Sequence, residues 1–376
     1  MKSKIIVFPA SQWQCDLIKY LKRKNYFVYS LDDDNNAVGH NFSNKRLNIN
    51  SKEIKKIKSF IKRNKCKIIS SCSDLGQKLV NKVNNKKNDI FNKFKQREIQ
   101  KKLFLNTPFY FSYKNYNKKS FIACQKKVVS KPILGSGSNG LNYHKNFKKY
   151  KNKNLFYEQF IEGKEFNVDG FVFKNNIYFY AIMEKIKCSR FVSYIMKQNS
   201  LKNKIIKDIK LTLKMFILNS KYPDGPFHAE IIVQKKTDKI FIVESHPREA
   251  GFNLFYLTCK KITGLDLYRI SVKAKLNEKL YLKNIKSKDI FNNYCTRMIP
   301  VEKSGIIKKI FLKKFNDKKE IKTYIKIFKK KDDVIENKNN DASRIGYIQS
   351  FTNNKKMNLE KYTYKILKKY LTIKYY

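Results

Sequence analysis

Two short runs hold side chains whose types and spacing could do chemistry. HAEIIV carries Glu230, and IFIVESHPREAGFN carries Glu244, His246 and Arg248. Each glutamate sits in apolar residues at alternating spacing, the pattern of a half-buried strand. The turn KKTDK between the runs predicts an antiparallel hairpin. The phase of both strands allows the two carboxylates to share one face. Carboxylates facing each other repel and raise a pKa. A divalent cation removes that cost, and Mg2+ prefers oxygen ligands. Arg248, four residues beyond Glu244, could hold a phosphate oxygen in bidentate fashion. The alternative is a pair of structural acids neutralised by lysines.

Two upstream stretches are compatible with a bound nucleotide. In VVSKPILGSGSNG, Lys131 precedes a loop containing Gly135, Ser136, Gly137 and Ser138. Glycines let a backbone close over phosphates and aim its N–H groups at them, while an ammonium supplies a point charge. A flexible linker between strands is the competing reading. LFYEQFIEGKEF places Glu158 and Glu165 seven residues apart across Gly163. A strand exit whose backbone meets an adenine edge, followed by an acid for ribose hydroxyls, makes a nucleoside clamp. Two solvated acids in a lysine-rich chain explain the same residues.

The elements that must position these groups follow from periodicity. KIIVFP, YFVYSLD and CKIISSC read as strands alternating with the helical runs QWQCDLIKYLKRKN and KEIKKIKSFIKRNK. That order implies a parallel, doubly wound sheet, with ligands beyond its strand ends, where Ser11, Gln12, Asp32, Ser73 and Asp74 fall. The first ninety residues hold no GxGxxG, so a dinucleotide fingerprint is missing from this sheet. A helix runs from Asn92 to Pro108, which ends it. KNKIIKDIKLTLKMFILNS and NLFYLTCKKITG read as helices, and YCTRMIPV, GIIKKIFL and RIGYIQSF as short strands before a terminal helix.

The 376 residues, 42% of them hydrophobic, allow two or three domains. The net charge of +53 is overwhelmingly lysine spread along the chain, beside much Asn, Ile, Phe and Tyr. That pattern fits an AT-rich gene better than a dedicated nucleic-acid surface, for which arginine is preferred. No apolar run reaches membrane-spanning length, and the N-terminus reads as mature protein without a signal peptide. Seven scattered cysteines without a CxxC argue against a disulfide framework or structural zinc. A reducing cytoplasm is the expected compartment.

Taken in order, these pieces resemble the ATP-grasp superfamily, carboxylate–amine ligase type. The resemblance covers nearly the whole chain. It implies an α/β fold with α+β character in the ATP-binding part. A pre-ATP-grasp domain is expected over 1–91, an ATP-grasp domain over 92–290 with its lid near 108–155, and a small β-rich domain over 291–376. Lys93 and Lys131 take the places of the two ATP-phosphate lysines, and GSGSNG that of the mobile loop. Glu158 with the backbone of Phe160 and Ile161 matches the adenine hinge, and Glu165 the ribose acid. Glu230 and Glu244 match the Mg2+ ligands, and Arg248 the phosphate-side arginine. His246 stands where the family's E-x-N-x-R has Asn; its softer nitrogen suits Mn2+, Zn2+ or Fe2+.

The resemblance implies ATP and Mg2+ (or Mn2+) as cofactors. It also implies small-molecule carboxylate and amine substrates, no specific nucleic acid and no membrane; many relatives are homodimers. The γ-phosphoryl would pass to a carboxylate and an amine would displace phosphate, with Lys131 and Arg248 offsetting charge. Ser189, Arg190, His228 and Arg297 flank the expected cleft as candidate substrate contacts. The alternatives are a carboxylase-type enzyme that phosphorylates bicarbonate and a non-enzymatic nucleotide- or polyanion-binding protein.

Overall fold

The apolar run after Lys4 forms β1 (Lys4–Val7), parallel to β2 (Phe27–Ser30) on one side and β4 (Cys66–Ile69) on the other. A short β3 (Lys45–Arg46) lies beyond β2. Parallel neighbours need crossovers; α1 (Cys15–Arg23) makes the first and α2 (Ile54–Asn64) leads into β4. Ile5, Ile6 and Val7 are fully buried, as expected of a strand covered on both faces. After β4, the Ser73 side chain accepts from the Gly76 N–H and starts α3 (Asp74–Val83), so Asp74 sits in its first turn. The computed structural model describes residues 3–87, 89–135, 137, 139–150, 152–187, 193–301, 303–336 and 344–376.

A second helix start, capped by Asn92, begins α4 (Lys93–Lys102). Contrary to expectation, Pro108 does not end this helix. The chain leaves it at Leu103 through Phe104 in the left-handed region (φ 55°), with the Leu105 N–H bonded to the Gln100 carbonyl. An antiparallel sheet follows, made of β5 (Tyr110–Ser112), β6 (Val128–Pro132), β7 (Asn142–His144) and β8 (Leu155–Gln159). Its order is β5-β8-β6-β7, and α5 (Lys118–Ala123) packs beside it.

The largest sheet has eight strands. Its first members are β9 (Gly163–Phe173), β10 (Asn176–Lys187), β11 (Ser193–Gln198), β12 (Gly225–Gln234) and β13 (Ile240–His246). Later come β14 (Asn293–Pro300), β15 (Gly305–Leu312), β16 (Lys322–Ile327), β17 (Val334–Ile335), β18 (Arg344–Thr352) and β19 (Leu371–Tyr375). The sheet order is β13-β12-β9-β10-β11-β14-β18-β16, while β15, β17 and β19 form a small sheet beside the terminal helix α9 (Leu359–Tyr370). The ladder therefore crosses residue 291, where the sequence suggests a domain boundary, because β14 pairs with β11. Neither β16 nor β19 is anticipated from the sequence.

Each face of this sheet has its own cover. Helix α6 (Asn203–Asn219) presents Ile209, Leu213, Phe216 and Ile217, all fully buried, to Phe166, Val168 and Ile231. On the other face a π-helical turn (Phe255–Cys259), α7 (Lys260–Thr263) and α8 (Leu267–Lys275) pack Phe255, Cys259 and Ile270 against Phe171, Met183 and Met196. Alternation along β9 sends Phe166 and Val168 to α6 and leaves Asn167 and Asp169 for the opposite face. Among the described residues no helix is long and apolar enough to cross a membrane.

The phase of α6 is testable. Phe216→Ala is expected to cost about 3–5 kcal/mol, whereas Leu211→Ala, at a side chain 58% exposed, should cost less than about 0.5 kcal/mol. Urea unfolding of the two variants measures both values.

Candidate functional site

The hairpin of β12 and β13 is the centre of the site. Glu230 lies directly opposite Glu244, and the next pair in register is Ile231 with Ile242, so Val243 is an extra residue. Such a bulge re-aims the side chains beyond it. Uninterrupted alternation would put Phe241 and Glu244 on opposite faces; with the bulge both line one cleft. Arg97, on α4 and 1% exposed, fixes this geometry. Its guanidinium donates to the carbonyls of Ile242 (3.0 Å) and Val243 (2.7 Å) and to Glu158 Oε2 (2.9 Å).

Register across the sheet builds two polar rows. Asn167, Glu230 and Glu244 stand side by side on β9, β12 and β13, and Asp169, His228 and His246 form the adjoining row. His228 Nδ1 is 2.8 Å from Asp169 and its Nε2 is 3.8 Å from Glu230. Burial alone would lower its pKa, but Asp169 and Glu230 outweigh burial and raise it to about 9, so the imidazolium is charged at neutral pH. Burial likewise pushes the Glu230 carboxyl up, yet Lys185 and His228 hold it well below the ordinary carboxylate range.

The sequence candidates for a nucleotide converge on one cleft between the β5–β8 sheet and the large sheet. It is lined by Lys93, Lys131, Gly135, Gly137, Glu158, Phe160, Ile161, Glu165, Glu230 and Glu244, with Ile232 and Phe241 as apolar wall. Ser136 and Ser138 lie outside the described residues. Gly137 and Gly140 hold φ of 66° and 73°, which glycine adopts without a Cβ penalty. Lys93 Nζ meets Glu244 at 3.0 Å and the Gly135 carbonyl. Lys131 is ion-paired with Glu158. Burial lowers the Lys131 pKa, offset only in part by Glu158. Burial raises that of Glu158, but Arg97 and Lys131 outweigh it and bring it below its ordinary value. Glu165 contacts Lys185 at 3.6 Å and Lys187.

A second cleft adjoins the first through Gly137, Lys185, Glu230 and Glu244. Ser11, Ser73, Asp74, His228, Arg248 and Arg344 line it. Arg248 thus faces this side and not the first cleft, where a phosphate-side arginine is expected. Its Nε bonds Asp74, Nη1 the Glu249 carbonyl (2.7 Å), and Nη2 lies 3.3 Å from His246 Nδ1. His246 Nδ1 is also 3.1 Å from Asp74, and its buried Nε2 has no hydrogen-bond partner among the described residues. Beneath them Glu249, fully buried, holds Lys275 through both oxygens at 2.5 and 2.7 Å.

Some expected groups are elsewhere. Arg297 donates to Thr363 and to the Glu360 carbonyl and lines neither cleft. Asp32 accepts from the Ala10 N–H, and Gln12 lines neither cleft. Ser189 and Arg190 lie outside the described residues. Arg97, Lys185, Asn167 and Arg344 escaped the sequence reading. Arg97 left a usable signal: it follows Lys93 by four residues, which places both on one helix face.

The donors fit a hard cation. Glu230 and Glu244 share the cleft wall, and beside Glu230 the buried Asn167 Oδ1 has no hydrogen-bond partner among the described residues. Mg2+ is commonly held by one or two carboxylates plus phosphate oxygens. Among the described residues no three His, Cys, Asp or Glu side chains gather as metal ligands, and His246 meets Asp74 through Nδ1.

A family model described as an ATP-grasp domain matches residues 141–254. The fold is similar to phosphoribosylglycinamide synthetase from Anaerococcus prevotii (TM-score 0.79, 20% identity, 100% of each chain covered). It is also similar to L-amino acid ligase from Bacillus licheniformis (0.78, 16% identity, 100% of this chain and 99% of that one). A third likeness is to the biotin carboxylase domain of 2-oxoglutarate carboxylase from Hydrogenobacter thermophilus, solved with MgADP and bicarbonate (0.74, 14% identity, 99% and 91% covered). No curated protein matches the sequence.

Two measurements probe the site's framework. Arg97→Met leaves the buried Glu158 and two carbonyls short of a partner and is expected to cost about 3–5 kcal/mol in chemical unfolding. Burial pushes the Glu249 pKa up, but Lys275 outweighs it and holds it below the ordinary 4.5. Its contribution to stability is therefore complete above about pH 4.5 and is lost as pH falls through the lower folded value. Glu249→Gln is expected to lower stability at pH 7 and to flatten the acid limb of the stability curve.

Proposed function

Since this chain carries an ATP-grasp domain within a full-length ATP-grasp fold, we propose that it is an ATP-dependent ligase joining a small-molecule carboxylate to an amine. The observation that carries the reading is the meeting of two clefts, one of them lined by Lys93, Lys131, Glu158 and Glu165, at Glu230, Glu244 and Lys185. In the first step a carboxylate oxygen of the substrate attacks the γ-phosphorus of ATP, the bond to the β-phosphate oxygen breaks, and ADP leaves. In the second, the amine attacks the acyl carbon of the acyl phosphate. Inorganic phosphate departs and the nitrogen loses a proton.

The chain's residues contribute positioning and charge, which dominate phosphoryl transfer. Lys93 and Lys131, already aimed into the cleft, offset phosphate charge. Glu158 and the backbone at Phe160 and Ile161 border the adenine, and Glu165 reaches the ribose. Glu230 and Glu244 would hold Mg2+, which when bound neutralises the β- and γ-phosphate oxygens. Arg248 acts on the acceptor side, its guanidinium oriented by Asp74 and the Glu249 carbonyl. The β5–β8 sheet covers the phosphates and keeps water from the acyl phosphate.

The test incubates purified protein with ATP, Mg2+ or Mn2+, and pooled carboxylates and amines, and reads phosphate release. Stimulation by at least one carboxylate–amine pool is expected, and Glu244→Ala should reduce it by about 10²–10³-fold in a protein that circular dichroism shows to be folded. No stimulation by any pool, together with no ATP-dependent thermal shift, would refute the ligase reading. Stimulation by bicarbonate alone would replace it with a carboxylase.

A further inference from the structure

Lys185 is not accounted for by the steps above, although it touches both clefts. It stands on β10 directly opposite Glu165 of β9 and reaches diagonally across that strand to Glu230 on β12. Its ammonium lies 2.9 Å from Glu230 Oε2 and 3.6 Å from Glu165 Oε2, and its side chain is 8% exposed. One buried cation thus bridges the acid assigned to the ribose and an acid assigned to the metal. Lys185 is also among the few residues shared by the two clefts, so it borders the line along which a phosphoryl group would travel.

We propose that Lys185 is a displaceable counter-ion: it stands in the metal's place at Glu230 and, when the metal binds there, moves onto the transferring phosphoryl group as a catalytic residue. The inference rests on the nucleotide and metal roles proposed above. Two charges cannot both occupy the same carboxylate face, and an isolated ammonium is costly to leave unpaired in a buried site. A phosphoryl group arriving between the clefts supplies the anion that Lys185 loses. Glu244 has its own lysine, Lys93, at 3.0 Å, so each acid of the pair is neutralised by a separate cation in the nucleotide-free chain. The Asn167 Oδ1 beside Glu230 has no hydrogen-bond partner among the described residues. Lys185 therefore fills the charge of the site but not its whole oxygen set. The exchange keeps the cleft near neutrality before and after nucleotide entry, and it places a fresh positive charge at the phosphorus only when the metal is present.

The two halves of the idea predict opposite changes in one variant. Mn2+ binding to nucleotide-free protein, followed by electron paramagnetic resonance, is expected to tighten about tenfold in Lys185→Met, because the competing ammonium is gone. Turnover of ATP by the same variant should fall about 100-fold or more. Lys185→Arg, which keeps the charge, should leave Mn2+ affinity within about twofold of wild type, and Asn167→Ala should weaken it. Unchanged or weaker Mn2+ binding in a Lys185→Met protein with a wild-type melting temperature overturns the counter-ion role. Wild-type turnover in that variant overturns the catalytic one. If Lys185→Met unfolds, Lys185→Gln is measured by the same criteria. The Mn2+ arm needs no turnover, so a wild-type protein inactive towards every substrate pool and without an ATP-dependent thermal shift would refute the ligase reading while the counter-ion role is still decided by Mn2+ affinity.

Discussion

The contact on which the site depends is the buried guanidinium of Arg97. It spans three elements that enclose the first cleft: its own helix, the β8 strand through Glu158, and the bulge of β13 through two carbonyls. A bulge leaves carbonyls without ladder partners, and a buried carboxylate without a counter-ion is expensive. Arg97 removes both costs at once. The orientation of Glu244 and the seat of Lys131 beside Glu158 then follow from the same side chain, so one planar group with five donors sets the cleft's walls.

Charge inside the clefts is balanced with a care that the net charge of +53 would not suggest. Glu158 is held by Arg97 and Lys131, Glu244 by Lys93, Glu230 by Lys185 and His228, and Asp74 by Arg248 and His246. The surplus lysines lie mainly on solvated surface and bear on solubility rather than on the fold. The two readings of Glu230 and Glu244, metal ligands or lysine-neutralised acids, are thus not exclusive. Lysines neutralise the pair in the nucleotide-free chain, and the same carboxylates remain the natural seat for a hard cation.

How far the sequence could be read depended on the distance over which each feature is decided. Glu230 and Glu244 were legible because a short hairpin with clear alternation places them together. The parallel start was legible because strands and helices alternate at ordinary lengths. The Val243 bulge was not, since one extra residue leaves no mark on an apolar run. Lys185 was hidden among many other lysines, and only strand pairing sets it across from Glu165. His246 looked like a ligand by its position after Glu244. One side of its ring meets Asp74, a residue 172 positions earlier in the first turn of α3. Arg297 and the end of α4 show the same lesson: local patterns located the elements, while long-range partners decided what their side chains do.

The continuity of the large sheet past residue 291 has a mechanical meaning. Eight strands joined in one hydrogen-bonded ladder behave as a beam, because rotating one part against another breaks backbone hydrogen bonds worth about 1 kcal/mol each. Among the described residues the β5–β8 sheet shares no strand pairing with that beam; it is tied to it through α4, by the Lys93 N–H to the Ile133 carbonyl and by Arg97 to Glu158. The acids of the hairpin and the strands contributed from the far end of the chain therefore form one stationary wall.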